Sequence, residues 1–90
     1  MNNLKVNVRN IRSNAGTPVV NQFEISTSEG VFFQSYRTVI AAKINGKIYL
    51  DSNWAYSKTT GKYRNIFLGE TKRETEAKIK SGEYILTELN

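Results

Sequence analysis

Residues Lys43-Ile44-Asn45-Gly46-Lys47-Ile48 hold the sharpest local signal in the chain. Asn-Gly supplies positive φ at two successive positions, which a two-residue type I′ turn requires, and alternating apolar residues flank it. The spacing predicts a tight hairpin, with Ile44 and Ile48 on neighbouring strands and Tyr49-Leu50 continuing the second. Upstream, Val31 to Ile44 is the longest β-prone run. One face offers Phe32, Tyr36, Ile40, Ala42 and Ile44; the other alternates Phe33, Val39 and Ala41 with Ser35 and Arg37. Two apolar faces predict an inner strand, covered by a helix on one side and partly by a loop on the other.

Leu4, Val6 and Val8 alternate with polar residues and read as a first strand, with Ile11 beyond a bulge. Ser13-Asn-Ala-Gly-Thr-Pro18 gathers turn formers and reads as a hairpin loop. Val19 to Thr27 reads as a second strand with Phe23 and Ile25 on one face, closed by Ser28-Glu29-Gly30. Beyond Asp51-Ser-Asn53 the pattern turns helical. Thr59 or Thr60 caps a short helix through Tyr63, Ile66 and Phe67, with Gly69 as its left-handed stop. Gly61 weakens that helix, so a turn-rich loop is the alternative. Thr71-Lys-Arg-Glu74 has the form of a capping box and places a helix from about Lys72 to Ser81, stopped by Gly82. Glu74–Lys78 and Glu76–Lys80 are spaced as i,i+4 pairs along it. Tyr84-Ile-Leu86 makes a final strand.

Strands followed by helices predict an α+β fold in a single domain spanning residues 1–90. The expected architecture is a curved antiparallel sheet of about five strands with one or two short helices on one face. A small five-stranded barrel is the competing arrangement.

Composition narrows the chemistry. The chain has no cysteine and no histidine. That removes disulfides, thiolate metal sites, the commonest zinc ligand and the commonest general base. Glu24, Glu29, Asp51, Glu70 and Glu83 are scattered, whereas carboxylate catalysis needs acids that converge. The expectation is a non-enzymatic protein without metal or cofactor. No apolar run approaches a membrane span, and Met-Asn-Asn-Leu-Lys lacks the layout of a signal peptide. A soluble, cytoplasmic protein without a membrane partner is expected. A domain this small buries only about 60 to 65% of its unfolded surface, so a homodimer contact is a possible source of added stability.

Net charge is +5, and it is concentrated. Arg37, Lys43, Lys47, Lys58, Lys62 and Arg64 face one acid, Asp51, within a single window, while the rest of the chain balances seven bases against seven acids. Such an excess suits a polyanionic partner, nucleic acid first; a solvated face that keeps a small protein soluble is the plainer reading. The segment Trp54 to Glu70 packs four of the ten aromatic residues into seventeen positions with three bases. Trp54, Tyr56 and Tyr63 interleaved with Lys58, Lys62 and Arg64 is a combination that binds single-stranded nucleic acid, rings stacking on bases and cations tracking phosphates. The same rings also suit a core between loop and sheet. Phe67 is assigned to the core and Tyr56 is the ring expected to be free. The candidate binding residues are Lys43, Lys47, Tyr56, Lys58, Lys62 and Arg64, expected on one surface beside the Asn45-Gly46 turn. Gln34 and Arg37 are secondary candidates. Ser57-Lys-Thr-Thr-Gly61 offers hydroxyls and a helix N-terminus to a phosphate, although the glycine spacing of a nucleotide-binding loop is missing.

Asn21-Gln-Phe-Glu-Ile25, Phe33-Gln-Ser-Tyr36, Ile40-Ala41, the Trp54-to-Arg64 motif, Phe67-Leu-Gly-Glu70, and Glu74-Thr75 with Gly82-Glu-Tyr84 form a series. Together, over about Val20 to Tyr84, they resemble a family of short proteins encoded by bacteriophages and prophages of Gram-positive bacteria. The long Trp-to-Arg motif is the specific one. The resemblance carries context and no site residues. It implies a binding protein of host takeover or counter-defence, whose partner is a host protein or a nucleoprotein complex such as a CRISPR effector. A single-stranded nucleic-acid-binding protein of phage replication or transcription is the alternative.

Overall fold

The computed structural model describes residues 5–90. Leu4 of the expected first strand lies outside that range. Among the described residues six strands form one sheet in sequence order: β1 (Asn7–Arg12), β2 (Pro18–Ser26), β3 (Val31–Ser35), β4 (Thr38–Ile44), β5 (Lys47–Asp51) and β6 (Tyr84–Thr87). Helices α1 (Lys58–Leu68) and α2 (Lys72–Ser81) lie between β5 and β6. The fold is α+β, a curved open sheet with two helices. β1 to β5 pair antiparallel, but β5 and β6 run parallel. A parallel neighbour needs a long crossover, and the two-helix segment supplies it. The sheet stays open, with β1 and β6 at its edges, so the barrel is not formed.

The hairpin at Asn45-Gly46 forms as its sequence demands, with φ of 52° and 77°. The β1–β2 ladder slips between Asn10 and Arg12, the bulge expected near Ile11. Gly30 closes the next turn where a Cβ would stand 2.3 Å from the Lys43 carbonyl oxygen, so a side chain has no room there.

The run from Val31 to Ile44 is not one strand. It folds back at Tyr36-Arg37 into β3 and β4, which makes six strands rather than about five. Tyr36 takes φ 56°, and its amide bonds the Asn21 carbonyl at 2.7 Å, Asn21 itself having φ 66°. A tertiary hydrogen bond thus fixes a turn that carries no Gly, Pro or Asn of its own. A register shift opposite Phe33/Gln34 then lets Ile40 and Ala41 both bury completely. Ile40 therefore joins Phe33 and Ala41 in the core on the helix side, instead of sharing a face with Phe32.

The core lies between the sheet and α1. Phe33 stacks on Phe67 at 5.7 Å, among Ile11, Ile40, Leu50 and Tyr84. Polar groups are also buried on this side: Ser35 Oγ lies 2.9 Å from Thr60 Oγ1 of α1, and Gln22, opposite Ser35 on β2, has no protein partner among the described residues for its side-chain amide. On β2 the helix side thus carries Gln22, while Phe23 and Ile25 point to the far side. Asp51, fully buried, ties down both flanking segments. Its carboxylate accepts from the Asn53 amide at 3.0 Å and the Leu89 amide at 2.8 Å. Burial alone would raise this carboxyl, but the two amides outweigh it and hold it below the usual carboxylate range. Asn90 completes the closure, its side-chain amide exchanging two hydrogen bonds with the Val39 backbone.

Candidate binding groove at the start of helix α1

The loop after β5 is built to present the start of α1. The Trp54 amide bonds the Asp51 carbonyl at 3.0 Å and the Tyr56 amide bonds the Asn53 carbonyl at 3.3 Å, two successive turns hung from the Asp51 anchor. Ser57, not Thr59 or Thr60, is the N-cap. It is extended, at φ −148° and ψ 159°, and its hydroxyl accepts from the Thr60 amide. The threonines are inside the helix instead, and Thr60 is buried against Ser35. By helix geometry the amides of Lys58 and Thr59 have no intrahelical acceptor and carry the positive end of the helix dipole.

Around this helix start lies a groove of about 600 Å³ lined by Tyr56, Ser57, Lys58, Gly61, Lys62 and Lys72, with Arg64 and Asn65 also contributing. None of its lining residues is acidic. Tyr56 is 54% exposed, as expected for the free ring. Lys58, Lys62 and Lys72 are exposed, and the Lys62 ammonium lies 5.4 Å from the Tyr63 ring centroid. A smaller hollow of about 230 Å³ lies between β1 and α1. Its cations are already engaged, Arg9 with Glu24 and Arg12 with the Gly16 carbonyl.

Arg64 is not the surface cation that the sequence suggested. It is 1% exposed. Nη1 donates to the Trp54 carbonyl at 2.7 Å, Nη2 donates to Asn65 Oδ1 at 2.9 Å, and the guanidinium lies 5.0 Å from the Trp54 ring centroid. Nε has no protein partner. Burial lowers its pKa from the usual arginine value, with the Glu70 charge acting in the opposite sense. Gly61 lies directly over it: a Cβ there would stand 3.5 and 3.6 Å from the two terminal nitrogens. Arg64 thus holds the Trp54 turn to α1 and places a fixed positive charge under the groove floor. Trp54 itself is only half-buried at the margin of the core.

The remaining candidates are elsewhere. Lys43 donates to the Phe67 carbonyl at 2.8 Å and lies 4.3 Å from the Phe67 ring centroid, closing the C-terminal end of α1. Phe67 is nine residues after Lys58, about 14 Å along the axis. Lys43 and the exposed Lys47 therefore sit at the far end of the helix, and the six expected residues do not form one patch. Gln34 donates to the Tyr36 carbonyl at 2.8 Å, a local turn contact. Arg37 is exposed in the β3–β4 turn, at the end of the sheet where Ser35 meets the start of α1.

Lys72 was missed by the sequence reading, because it reaches the groove only through the reversal at Gly69 (φ 71°) between the helices. That reversal is fastened by Glu70. Its carboxylate accepts from Lys78 at 2.7 Å, Thr75 at 2.5 Å and Tyr84 at 2.8 Å. Burial would raise the Glu70 carboxyl; the hydrogen bonds from Lys78, Thr75 and Tyr84 prevail and lower it. The Lys78 ammonium is correspondingly pushed up, and the Tyr84 hydroxyl is raised by burial and by Glu70. Lys78 is thus paired with Glu70 rather than Glu74. Glu74 completes the capping box with Thr71, and the less solvated Glu70 offers the stronger attraction.

Among the described residues there is no group of three or more potential metal ligands, and no helix is long and apolar enough to cross a membrane. No curated protein and no solved structure matches the chain. A family model does match, over residues 6–84, from β1 through the groove to the start of β6. The chain therefore belongs to a family of unknown function, DUF8033.

Proposed function

We propose that this is a non-enzymatic, phage-encoded binding protein of host takeover or counter-defence, and that it engages an acidic surface of a host protein or nucleoprotein through the groove at the start of α1. The observation that carries this reading is the lining of that groove. Three exposed lysines and an exposed tyrosine surround a helix N-terminus over a buried arginine, with no acid among the lining residues. Opposed fixed charges of this kind steer encounter and favour one partner surface over others. The phage context comes from the motif series running from Asn21 to Tyr84. A cytoplasmic site of action in the host follows from that context.

A second reading, a single-stranded nucleic-acid-binding protein of phage replication or transcription, is favoured by Tyr56. An exposed ring beside lysines is a stacking platform of the kind that holds unpaired bases. Affinity capture from infected host cells, with and without nuclease, separates the two. One stoichiometric host protein that survives nuclease supports the first reading; nucleic acid alone supports the second. Turnover of nucleotides or nucleic acid by pure protein, abolished by replacing a single acid, would defeat both.

A further inference from the structure

The helices cover one side of the sheet, and the strand registers show what is on the other. Val8 pairs with Ile25, Ile25 with Phe32, Phe32 with Ala42, Ala42 with Tyr49 and Tyr49 with Ile85. One straight apolar row thus crosses all six strands on the side away from α1. None of these six residues belongs to the cluster that packs under the helices, although Ala42 is itself fully buried. The row ends in the open, with Val8 59% and Ile85 36% exposed.

We infer that this face is where two copies of the chain meet. The row carries no charge. On β5, Lys47 lies on one side of it and Asp51 on the other, and the Asp51 carboxylate is engaged by the Asn53 and Leu89 amides. The whole chain carries +5, so an uncharged row can meet its own copy with little like-charge repulsion. An acidic partner, by contrast, is drawn to the lysines on the helix side. The row is also symmetric about its middle, with three strands on each side. A two-fold axis along the strands, between β3 and β4, lays the row over its copy with β3 over β4, Ile25 against Tyr49 and Val8 against Ile85. The two sheets then stack as in an aligned sandwich. Five inter-strand gaps by about 15 Å of strand give a flat footprint of roughly 350 Å² per copy. Side-chain relief raises the buried area toward the lower end of specific interfaces, about 1,200 Å² in total. The dimer is therefore weak and concentration-dependent.

Sedimentation of the full chain, from micromolar to millimolar concentration, tests this, together with amide NMR spectra recorded over the same dilution series. The apparent mass should double as concentration rises, and the shifting amides should be those of the row. Val8→Lys with Ile85→Lys places like charges against each other twice and should remain monomeric at concentrations where the wild type is dimeric. Val8→Glu with Ile85→Lys should dimerise again, more weakly as salt is added. Both sites are at exposed ends of the row, and circular dichroism verifies that each variant is folded. A wild type that stays monomeric throughout, or shifts confined to the helix side, overturns the inference. A double-lysine variant that dimerises as the wild type does, or a Glu/Lys variant that stays monomeric, overturns it too.

Discussion

Replacing Arg64 by Ala removes a cation that looks from the sequence like part of a surface patch but lies inside the fold. The Trp54 carbonyl and the Asn65 side-chain oxygen each lose their donor, at 2.7 and 2.9 Å, and the Trp54 ring loses the guanidinium beside it. An acceptor left without a partner costs about 1 to 3 kcal/mol, toward the lower end where water still reaches it. Both acceptors are partly buried, and relief of the buried charge offsets some of the loss, which leaves a net destabilisation of about 2 to 4 kcal/mol. A domain of this length has roughly 5 to 13 kcal/mol in all, so the melting temperature should fall by about 10 to 25 °C. Arg64→Lys keeps the charge but not the fork that serves two acceptors, and should lose at least half as much. Urea unfolding followed by Trp54 fluorescence and by far-UV circular dichroism measures both variants. A loss for Arg64→Ala under about 1 kcal/mol, close to the range for exposed surface positions, would refute the buried clamp.

Gly61→Ala should stabilise by about 0.5 to 1 kcal/mol through better helix propensity, because its Cβ would make ordinary contact with the guanidinium, and urea midpoints will report it. Phe67→Ala should cost about 3 to 5 kcal/mol, and a double-mutant cycle with Phe33→Ala should give a coupling of about 0.5 to 1.5 kcal/mol beyond area burial. The folded-state carboxyls of Asp51 and Glu70 are both lowered, so the unfolded chain takes up protons first as pH falls. Their contribution is therefore present above the unfolded carboxylate range of about 4 and is lost progressively below it. Asp51→Asn with Glu70→Gln should flatten that slope in urea midpoints measured between about pH 3 and 7.

The strand pairings that local chemistry specifies were readable from the residues themselves. Asn45-Gly46 and the Thr71–Glu74 box need no tertiary partner to be recognised, because positive φ and reciprocal capping are properties of those residues. The turn at Tyr36-Arg37 escaped because its cause is the Asn21 carbonyl, fifteen residues away in sequence. The groove was half visible. Tyr56, Lys58 and Lys62 are near neighbours around one helix start, so their association follows from sequence, whereas Lys72 joins them only through the chain reversal at Gly69. Arg64 is the instructive failure. Its charge counts toward the basic window, but its place three residues after Gly61 on the helix aims it inward, where Trp54 and Asn65 accept from its two terminal nitrogens.

The most direct test of the groove compares capture of the host partner by the wild type and by the Lys58→Ala/Lys62→Ala/Lys72→Ala variant, over a range of salt. All three lysines are exposed, so the variant should unfold at nearly the wild-type urea concentration. Capture should nevertheless be lost, and the wild type should weaken as salt rises. If nucleic acid is what is held, the slope of log affinity against log salt should fall by about 0.7 to 0.9 for each phosphate contact removed. A folded triple variant that captures its partner as well as the wild type, with the same salt dependence, would contradict the assignment of the groove as the binding surface.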